Sequence, residues 1–401
     1  MTLLLAIVRS RWTPKRVAIG LYVTAFAAVG AAAPYLPVYY QSLGLSLDTI
    51  GLLAAVAALC ALIAAPVWGL LADQVAGSRL VLVAAAGAAT VCALGLGLAS
   101  APAMVAVIAV LYALSFAGIA PVLDAYALDQ VADNQHRYAR FRVWGSASFV
   151  VATVAVGFLI QQTELRSMFI ALVLCLVVSA VLASTLPART SAHVQRSLGG
   201  LRVVLRTRTL IVFVAAALVA WSASTMVNGF LSIYLISLNA PASLVGGAWA
   251  LGAMVEVPVM IAFPALAARF GLSPLIVLGA TLLLARVLVL VFTADPYIAT
   301  LAMTLHGAGY ALLLVGGVTY VARYAPSGSA ATAQGVLAGV VTGLAQAIGP
   351  GLAGLIAGVT GIHGMFLFAA VASAFGILAV ALAVTRAGTD RASAEVASAP
   401  G

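Results

Sequence analysis

The sequence predicts an all-α membrane protein with twelve transmembrane helices in two pseudo-symmetric halves of six helices each. Three observations support this fold class: the composition, the length of the apolar segments and the placement of the arginines. Of the 401 residues, 64% are hydrophobic and only 7% are charged, whereas a soluble domain carries about 25% charged residues. The composition therefore excludes a soluble globular protein and indicates a chain that lies mostly in a membrane.

The apolar segments are each roughly 20 residues long, which is the length that an α-helix needs to cross the hydrocarbon core. They are continuously apolar, whereas the strands of a membrane barrel are about 10 residues long and alternate in polarity. We therefore expect helices rather than strands. The approximate bounds of the twelve segments are 17–39, 48–72, 80–99, 103–128, 142–161, 166–186, 210–237, 243–268, 273–293, 297–322, 332–357 and 363–385.

A long polar interruption divides the chain near its middle and is rich in arginine. A weak internal repeat supports two halves, since residues 35–44 are echoed at residues 230–239. Repeats of this kind occur in transporter folds. The expected parts are an N-terminal half at 1–186, a cytoplasmic linker at 187–209, a C-terminal half at 210–386 and a disordered tail at 387–401.

The basic residues indicate the orientation of the chain. Lysine and arginine number 19 against 10 acidic residues, a net charge of +9, which in a soluble protein would suggest nucleic-acid binding. With twelve crossings, however, all the basic residues except Arg166 and Arg286 fall on the side of the termini. Cytoplasmic loops carry such an excess of positive charge. We therefore expect an integral protein of the plasma (cytoplasmic) membrane with both termini in the cytoplasm, and no nucleic-acid partner.

Several short motifs resemble those of the major facilitator superfamily of transporters. Gly69-Leu70-Leu71-Ala72-Asp73, followed by Gly77 and Arg79, resembles the signature loop after the second helix, although Gln74 stands where a basic residue is frequent. Other motifs resemble the branch of nucleoside, phenylpropionate and lactose-type proton symporters. These are Tyr35-Leu36-Pro37, Pro121-Val122-Leu123-Asp124-Ala125, Tyr138 to Ser146, Glu256-Val257-Pro258-Val259 and Ala331-Thr332-Ala333-Gln334-Gly335.

The resemblance implies the major facilitator fold and secondary active transport by alternating access. We expect proton-coupled symport of a small organic solute such as a nucleoside, a sugar or an aromatic acid. The alternative is a proton-coupled exporter of drugs or metabolites. Antiporters of this superfamily usually carry a Gly-Pro motif in the fifth helix, whereas here Val143-Trp144-Gly145-Ser146 contains no proline, which favours the symporter.

Three ionisable residues within the apolar segments predict a proton-coupling site, because a charge at the centre of the bilayer costs roughly 2.5 to 3.5 kcal/mol and usually serves a function. Glu256 lies 13 residues before Arg269, at the cytoplasmic end of the eighth segment, and Arg286 lies 13 residues after Ser273, at the start of the ninth. Both are therefore about 20 Å deep, and we expect them to form an ion pair. His306 lies at a similar depth.

The role of this pair has alternatives. If Glu256 is protonated in one state and paired with Arg286 in another, protonation is linked to the conformational equilibrium. Alternatively, a permanent pair only fixes the eighth and ninth helices together, or Arg286 binds an anionic solute instead of Glu256. In residue type and helix placement, Glu256, Arg286 and His306 are similar to the proton-coupling cluster of lactose-type symporters.

Two further groups of residues complete the predicted sites. The resemblance implies a cytoplasmic gate, a network of charges that holds one access state closed; its residues are Asp73, Arg79, Asp124, Arg140 and Arg142. Polar and aromatic side chains within the segments are candidates to line a substrate cavity; they are Tyr22, Tyr112, Asn228, Tyr310 and Gln346. A stripe of Gly335, Gly339 and Gly343 in the eleventh segment predicts close helix packing.

An enzyme is not expected. The sequence contains neither a glycine-rich phosphate loop with lysine nor histidines and carboxylates at metal-ligand spacing, as enzymes that use nucleotides or metals require. We therefore expect no metal and no cofactor. The expected partners are a small-molecule substrate, protons and the lipid bilayer, and we expect a monomer.

The predicted orientation is testable by cysteine labelling. Thr163→Cys, in the loop between the fifth and sixth segments, is expected to react with a membrane-impermeant maleimide in intact cells, because that loop is predicted to lie outside. Ser197→Cys, in the linker, is expected to react only after permeabilisation. The labelling is done in a variant with the native Cys60, Cys92 and Cys175 replaced by serine. The reverse pattern of labelling would contradict the orientation.

Overall fold

The computed structural model describes residues 13–130, 135–187 and 199–397. These residues form helices joined by short turns, and no strand occurs among them, which confirms the predicted all-α class. Short π-helical turns cover Ala72–Ala76 and Gly339–Leu344, and a 3₁₀ turn covers Leu165–Ser167. The α-helices are α1 (Pro14–Ala32), α2 (Leu36–Ser42), α3 (Leu47–Leu71), α4 (Gly77–Leu98), α5 (Pro102–Phe116), α6 (Ile119–Asp129), α7 (Gln135–Gln162), α8 (Met168–Ser184), α9 (Gly199–Val204), α10 (Arg208–Ser237), α11 (Ala242–Phe270), α12 (Leu272–Phe292), α13 (Pro296–Leu301), α14 (Met303–Tyr324), α15 (Ala330–Ala338) and α16 (Ala345–Ala397).

The starts of two helices show how local sequence sets their bounds. At α1 the side chain of Thr13 accepts a hydrogen bond from the backbone N–H of Arg16, and proline follows as the first helical residue. At α13 the carboxylate of Asp295 accepts from the backbone N–H groups of Tyr297 and Ile298. Threonine and aspartate satisfy the free N–H groups of a helix start, and proline needs no partner there.

Within the described residues, ten helical stretches are long and apolar enough to cross a membrane. Two of them, Leu47–Leu98 and Ala330–Arg386, are 52 and 57 residues long, more than twice the length of one crossing. Gly77 interrupts the first stretch with a φ of 71°, and Gly361 interrupts the second with a φ of 75°, values that favour glycine. Each of these two glycines lies between two of the predicted segments, and the count of twelve crossings stays a prediction.

The chain divides into two compact units. The first comprises Met1–Gln195 with Leu235–Ala250, and the second comprises Arg196–Tyr234 with Leu251–Gly401. Residues Leu235–Ala250, at the end of α10 and the start of α11, belong to the first unit, and the predicted bounds of the two halves stay a prediction. Helix also occurs within the predicted linker, at α9, and in the predicted tail, where α16 continues as far as Ala397. Alanine-rich sequence favours this continuation.

Glycine contacts position three helices of the second unit. A Cβ atom on Gly279 of α12 would lie 3.0 Å from the carbonyl oxygen of Gly309 of α14. A Cβ atom on Gly307 of α14 would clash with the carbonyl oxygen of Gly252 of α11. Membrane helices approach this closely where small residues face each other. The backbone of α14 is therefore held against α11 and α12 within one turn of His306.

The predicted glycine stripe is wrong for two of its members. A Cβ atom on Gly335 or Gly339 would meet no atom of the described residues within 4 Å, so neither residue serves close packing there. Four-residue spacing places small residues on one face of a helix, but it does not fix which neighbour that face meets.

We predict that Gly279→Ala lowers the thermal stability of the purified protein in detergent. The added methyl group would lie 2.9 Å from the backbone nitrogen of Leu313, and overpacking of this kind costs about 1–3 kcal/mol. Gly335→Ala is the matched control, because the same methyl group meets open space there. Equal melting temperatures for the two variants would contradict the packing role of Gly279.

Candidate functional site

Arg286 of α12 is the centre of a buried polar cluster in the second unit. Its side chain is only 1% exposed. Nη1 donates a hydrogen bond to Oδ1 of Asn228 on α10 at 2.8 Å and lies 3.0 Å from Nδ1 of His306 on α14. A guanidinium only donates, so Nδ1 of His306 is the acceptor. Three helices thus contribute to one hydrogen-bonded cluster.

The other edge of the Arg286 guanidinium has no protein acceptor. Nε and Nη2 are buried and form no hydrogen bond with the residues that the structure describes. Buried polar groups are nearly always hydrogen-bonded, and a buried charge without partners is costly. This edge is therefore suited to an acceptor that the neighbouring side chains do not supply in the described conformation.

The structure differs from the sequence prediction that Glu256 and Arg286 form an ion pair. The described contacts of Arg286 are those with Asn228 and His306, and the expected ion pair with Glu256 is not formed among the described residues. Glu256 lies on α11, one turn after the Gly252 contact with α14. Matched depth placed the two charges at one level of the membrane, but depth does not fix the rotation of a helix about its axis.

Two aromatic side chains extend the cluster. Tyr310 lies one turn after His306 on α14, and the two ring centroids are 5.7 Å apart. Trp221 of α10 packs edge-on against Tyr310 with 4.9 Å between centroids. Sequence analysis included Tyr310 and Asn228 in the cavity but missed Trp221. The available signal was its position two turns before Asn228, because residues seven apart share one face of a helix.

Ser224 lies between Trp221 and Asn228 on the same face of α10. Its hydroxyl is buried and forms no hydrogen bond within the described part of the chain. Sequence analysis missed this residue too, although hydroxyl side chains are conspicuous within an apolar helix. No group of three or more potential metal ligands occurs among the described residues.

Three predicted cavity residues, Tyr22, Tyr112 and Gln346, lie outside this cluster. Tyr112 is in the first unit, where its ring stacks on Phe116 with 5.6 Å between centroids. Gln346 of α16 is exposed and forms no hydrogen bond with other described residues. The polar cluster therefore brings together Asn228 and Tyr310 of the predicted cavity with Arg286 and His306 of the predicted proton-coupling site.

A second charged cluster lies in the first unit. The hydroxyl of Tyr22 donates a hydrogen bond to Oδ1 of Asp124, and Nη1 of Arg142 lies 3.4 Å from Oδ2 of the same carboxylate. The ring of Phe26 lies 5.3 Å from the guanidinium of Arg142. The structure thus joins Tyr22, a predicted cavity residue, to two residues of the predicted gate.

The other gate residues are not part of this cluster. Asp73 lies in the π-helical turn Ala72–Ala76 and Arg79 lies in α4. Neither forms an ion pair with another described residue. The side chain of Arg140 lies outside the described residues. The cytoplasmic gate of five residues stays a prediction.

Two helical units with buried charges at membrane depth are typical of membrane transporters. The chain belongs to the MFS_1 like family, whose model matches residues 18–368. It is therefore an integral membrane protein and a transporter of the major facilitator superfamily, rather than an enzyme.

Known relatives and structures agree with this family. The maltose permease of Geobacillus stearothermophilus is 28% identical over 372 residues, which cover 91% of this chain and 93% of the permease. The probable 3-phenylpropionic acid transporter of Escherichia coli K12 is 26% identical over 242 residues, 59% of this chain and 63% of that protein. A crystal structure of the nucleoside transporter NupG matches with a TM-score of 0.79 at 15% identity, covering 93% of this chain and 99% of NupG. The predicted fold and family resemblance are thereby confirmed.

We predict that Asn228→Ala destabilises the protein, because it removes the acceptor of a buried charged donor. Loss of a hydrogen bond to a charged group costs about 1.5–3 kcal/mol, measurable as a lower melting temperature in detergent. Gln346→Ala removes an exposed amide from the same unit and is expected to change stability by less than about 0.5 kcal/mol. An unchanged melting temperature for Asn228→Ala would contradict a stabilising role of this hydrogen bond.

Proposed function

We propose that the protein is a proton-coupled symporter that imports a small organic solute by alternating access. The observation that carries the proposal is the enclosed guanidinium of Arg286, whose Nε and Nη2 have no acceptor among the described residues. Charges within the membrane are costly and usually mark substrate or ion pathways. A guanidinium with a free edge is suited to pair with different anions in different states.

In the proposed cycle, Glu256 alternates between a bound proton and Arg286. Ionised Glu256 pairs with the free edge of Arg286, because the guanidinium fork matches the two oxygens of a carboxylate. Protonated Glu256 has no charge and is released. Proton binding and pairing therefore compete, which links protonation to the conformational equilibrium.

His306 is proposed to act on the same guanidinium. Its Nδ1 accepts a hydrogen bond from Nη1 of Arg286, so this nitrogen carries no proton while the bond exists. A proton on Nδ1 would make this nitrogen a donor that faces Nη1 of Arg286, which is also a donor. The contact between His306 and Arg286 would then weaken. His306 thereby makes the position of Arg286 sensitive to a proton that enters the cluster.

Asp124 and Arg142 are proposed to form part of a cytoplasmic gate, together with Asp73, Arg79 and Arg140. The ion pair between Asp124 and Arg142 and the hydrogen bond from Tyr22 support this role. Both charged side chains are partly exposed, as is expected of a contact that opens and closes.

The proposed partners are protons, the bilayer and a small organic solute, and the proposed working form is a monomer with cytoplasmic termini. Relatives are named for maltose and for 3-phenylpropionic acid, which supports a small organic solute. The distribution of arginines supports the orientation.

The proposal predicts that Glu256→Gln loses proton-driven accumulation, because glutamine neither binds the proton nor forms the ion pair. Uptake of radiolabelled maltose and 3-phenylpropionate is measured in proteoliposomes with an imposed gradient, acidic outside. The wild type is expected to accumulate at least one of these probes above equilibrium. Glu256→Gln is expected to retain exchange of that probe without a gradient.

Glu164→Gln is the matched control. Glu164 is exposed at the start of the 3₁₀ turn, and its variant is expected to accumulate solute as the wild type does. Full accumulation by Glu256→Gln would contradict the coupling role. Solute loss driven by inward proton movement would favour the proton-coupled exporter.

A further inference from the structure

We infer that the turn between α9 and α10 forms a binding site for anionic phospholipid head groups. The site consists of Arg202, Arg206 and Arg208, together with the apolar side chains of Val203 and Leu205, and is called the arginine site below. It lies on the surface of the second unit and is independent of the proposed symport, so it is expected in an exporter as well.

The arginine site is fixed to the second unit by contacts on both sides of the turn. Val204, the last residue of α9, is only 2% exposed and lies in one hydrophobic cluster with Leu210 of α10 and Leu337 of α15. The hydroxyl of Thr207 donates a hydrogen bond to the carbonyl oxygen of Val203 at 3.0 Å, and its backbone N–H donates to the carbonyl oxygen of Val204 at 3.1 Å. The arginines therefore keep defined places beside the start of α10.

The three guanidinium groups are presented on the exposed side of this turn. Because Val204 is buried, Arg202 and Arg206, which lie two residues before and after it, are exposed. Arg208, the first residue of α10, is exposed as well. The turn thus carries a dense group of positive charges on its outer surface.

The chain supplies no carboxylate to neutralise these charges. None of the three arginines forms an ion pair with another described residue, and the sequence contains no acidic residue between Glu164 and Glu256. Arginine stays protonated in proteins, and the guanidinium fork matches the oxygens of a phosphate group. The arginine site is therefore complementary in charge and geometry to a phosphate-bearing anion from outside the chain.

Two observations favour a phospholipid over a soluble phosphate. Arg208 begins a stretch, Arg208–Ser237, that is long and apolar enough to cross a membrane, so the site lies where the chain enters the bilayer. Val203 and Leu205 are 46% and 52% exposed. Apolar side chains among basic ones are typical of segments at the membrane interface, where the apolar groups meet acyl chains and the basic groups meet anionic head groups. A soluble phosphate would leave these apolar side chains in water.

The test measures the melting temperature of the full-length protein in dodecyl maltoside micelles that contain added phospholipid. Phosphatidylglycerol, which is anionic, is compared at equal mole fraction with phosphatidylcholine, which has no net charge. The wild type is expected to bind phosphatidylglycerol about tenfold or more tightly, measured as a larger rise in melting temperature. The triple variant Arg202→Gln, Arg206→Gln and Arg208→Gln is expected to lose most of this preference, because each arginine at an anionic surface contributes about fivefold to binding.

A triple variant with the same change of charge is the matched control. Lys15→Gln, Arg16→Gln and Arg269→Gln remove exposed basic groups at the start of α1 and the end of α11, and this variant is expected to keep the preference. If the first triple variant does not fold, the pair Arg202→Gln and Arg206→Gln, which leaves α10 unchanged, replaces it.

Two further probes separate a lipid from a soluble anion. Inorganic phosphate and glycerophosphoglycerol, which is the head group of phosphatidylglycerol without acyl chains, are expected to stabilise the wild type much less than the lipid does. Stabilisation by either probe as large as that by phosphatidylglycerol would contradict a lipid site and favour a soluble phosphate.

The remaining outcomes decide between a site and a general effect of charge. Loss of the preference in the arginine-site variant alone would support the arginine site. Equal stabilisation of the wild type by the two lipids would overturn it, and so would an equal loss of preference in the two triple variants.

Discussion

The burial of one guanidinium at membrane depth is the constraint on which the rest of the site depends. Arg286 is enclosed, yet only Nη1 of its nitrogens has described protein acceptors. A permanent structural arginine would be expected to have its donors satisfied, since a buried charge without partners is costly. A guanidinium that keeps a free edge is instead suited to exchange partners during a cycle.

The helices around Arg286 are held by backbone contacts at glycines as well as by packed side chains. Gly279 and Gly309 bring α12 against α14, while Gly252 and Gly307 bring α11 against α14. Without a side chain between them, the backbones approach closely and fix the position of α14 beside Arg286.

The sequence was sufficient to predict the membrane fold, because the length and continuity of the apolar segments decide it. Depth along a helix also follows from residue counting, which predicted similar levels for Arg286 and His306, and their side chains meet in the structure. The rotation of a helix about its own axis cannot be predicted from the sequence when the helix is apolar on all sides, because its hydrophobic pattern then indicates no preferred face. For that reason Asn228, rather than Glu256, is the observed partner of Arg286, and Trp221 and Ser224 were missed.

The most direct measurement is the proton uptake that accompanies solute binding in weakly buffered detergent solution, at a pH where Glu256 is ionised. On adding maltose or 3-phenylpropionate, whichever the wild type accumulates, the account predicts uptake of about one proton for each molecule bound by the wild type. It predicts little or no uptake for Glu256→Gln, although that variant still binds the solute. Binding without proton uptake in the wild type, or equal uptake in the two proteins, would contradict competition between the proton and Arg286 for Glu256.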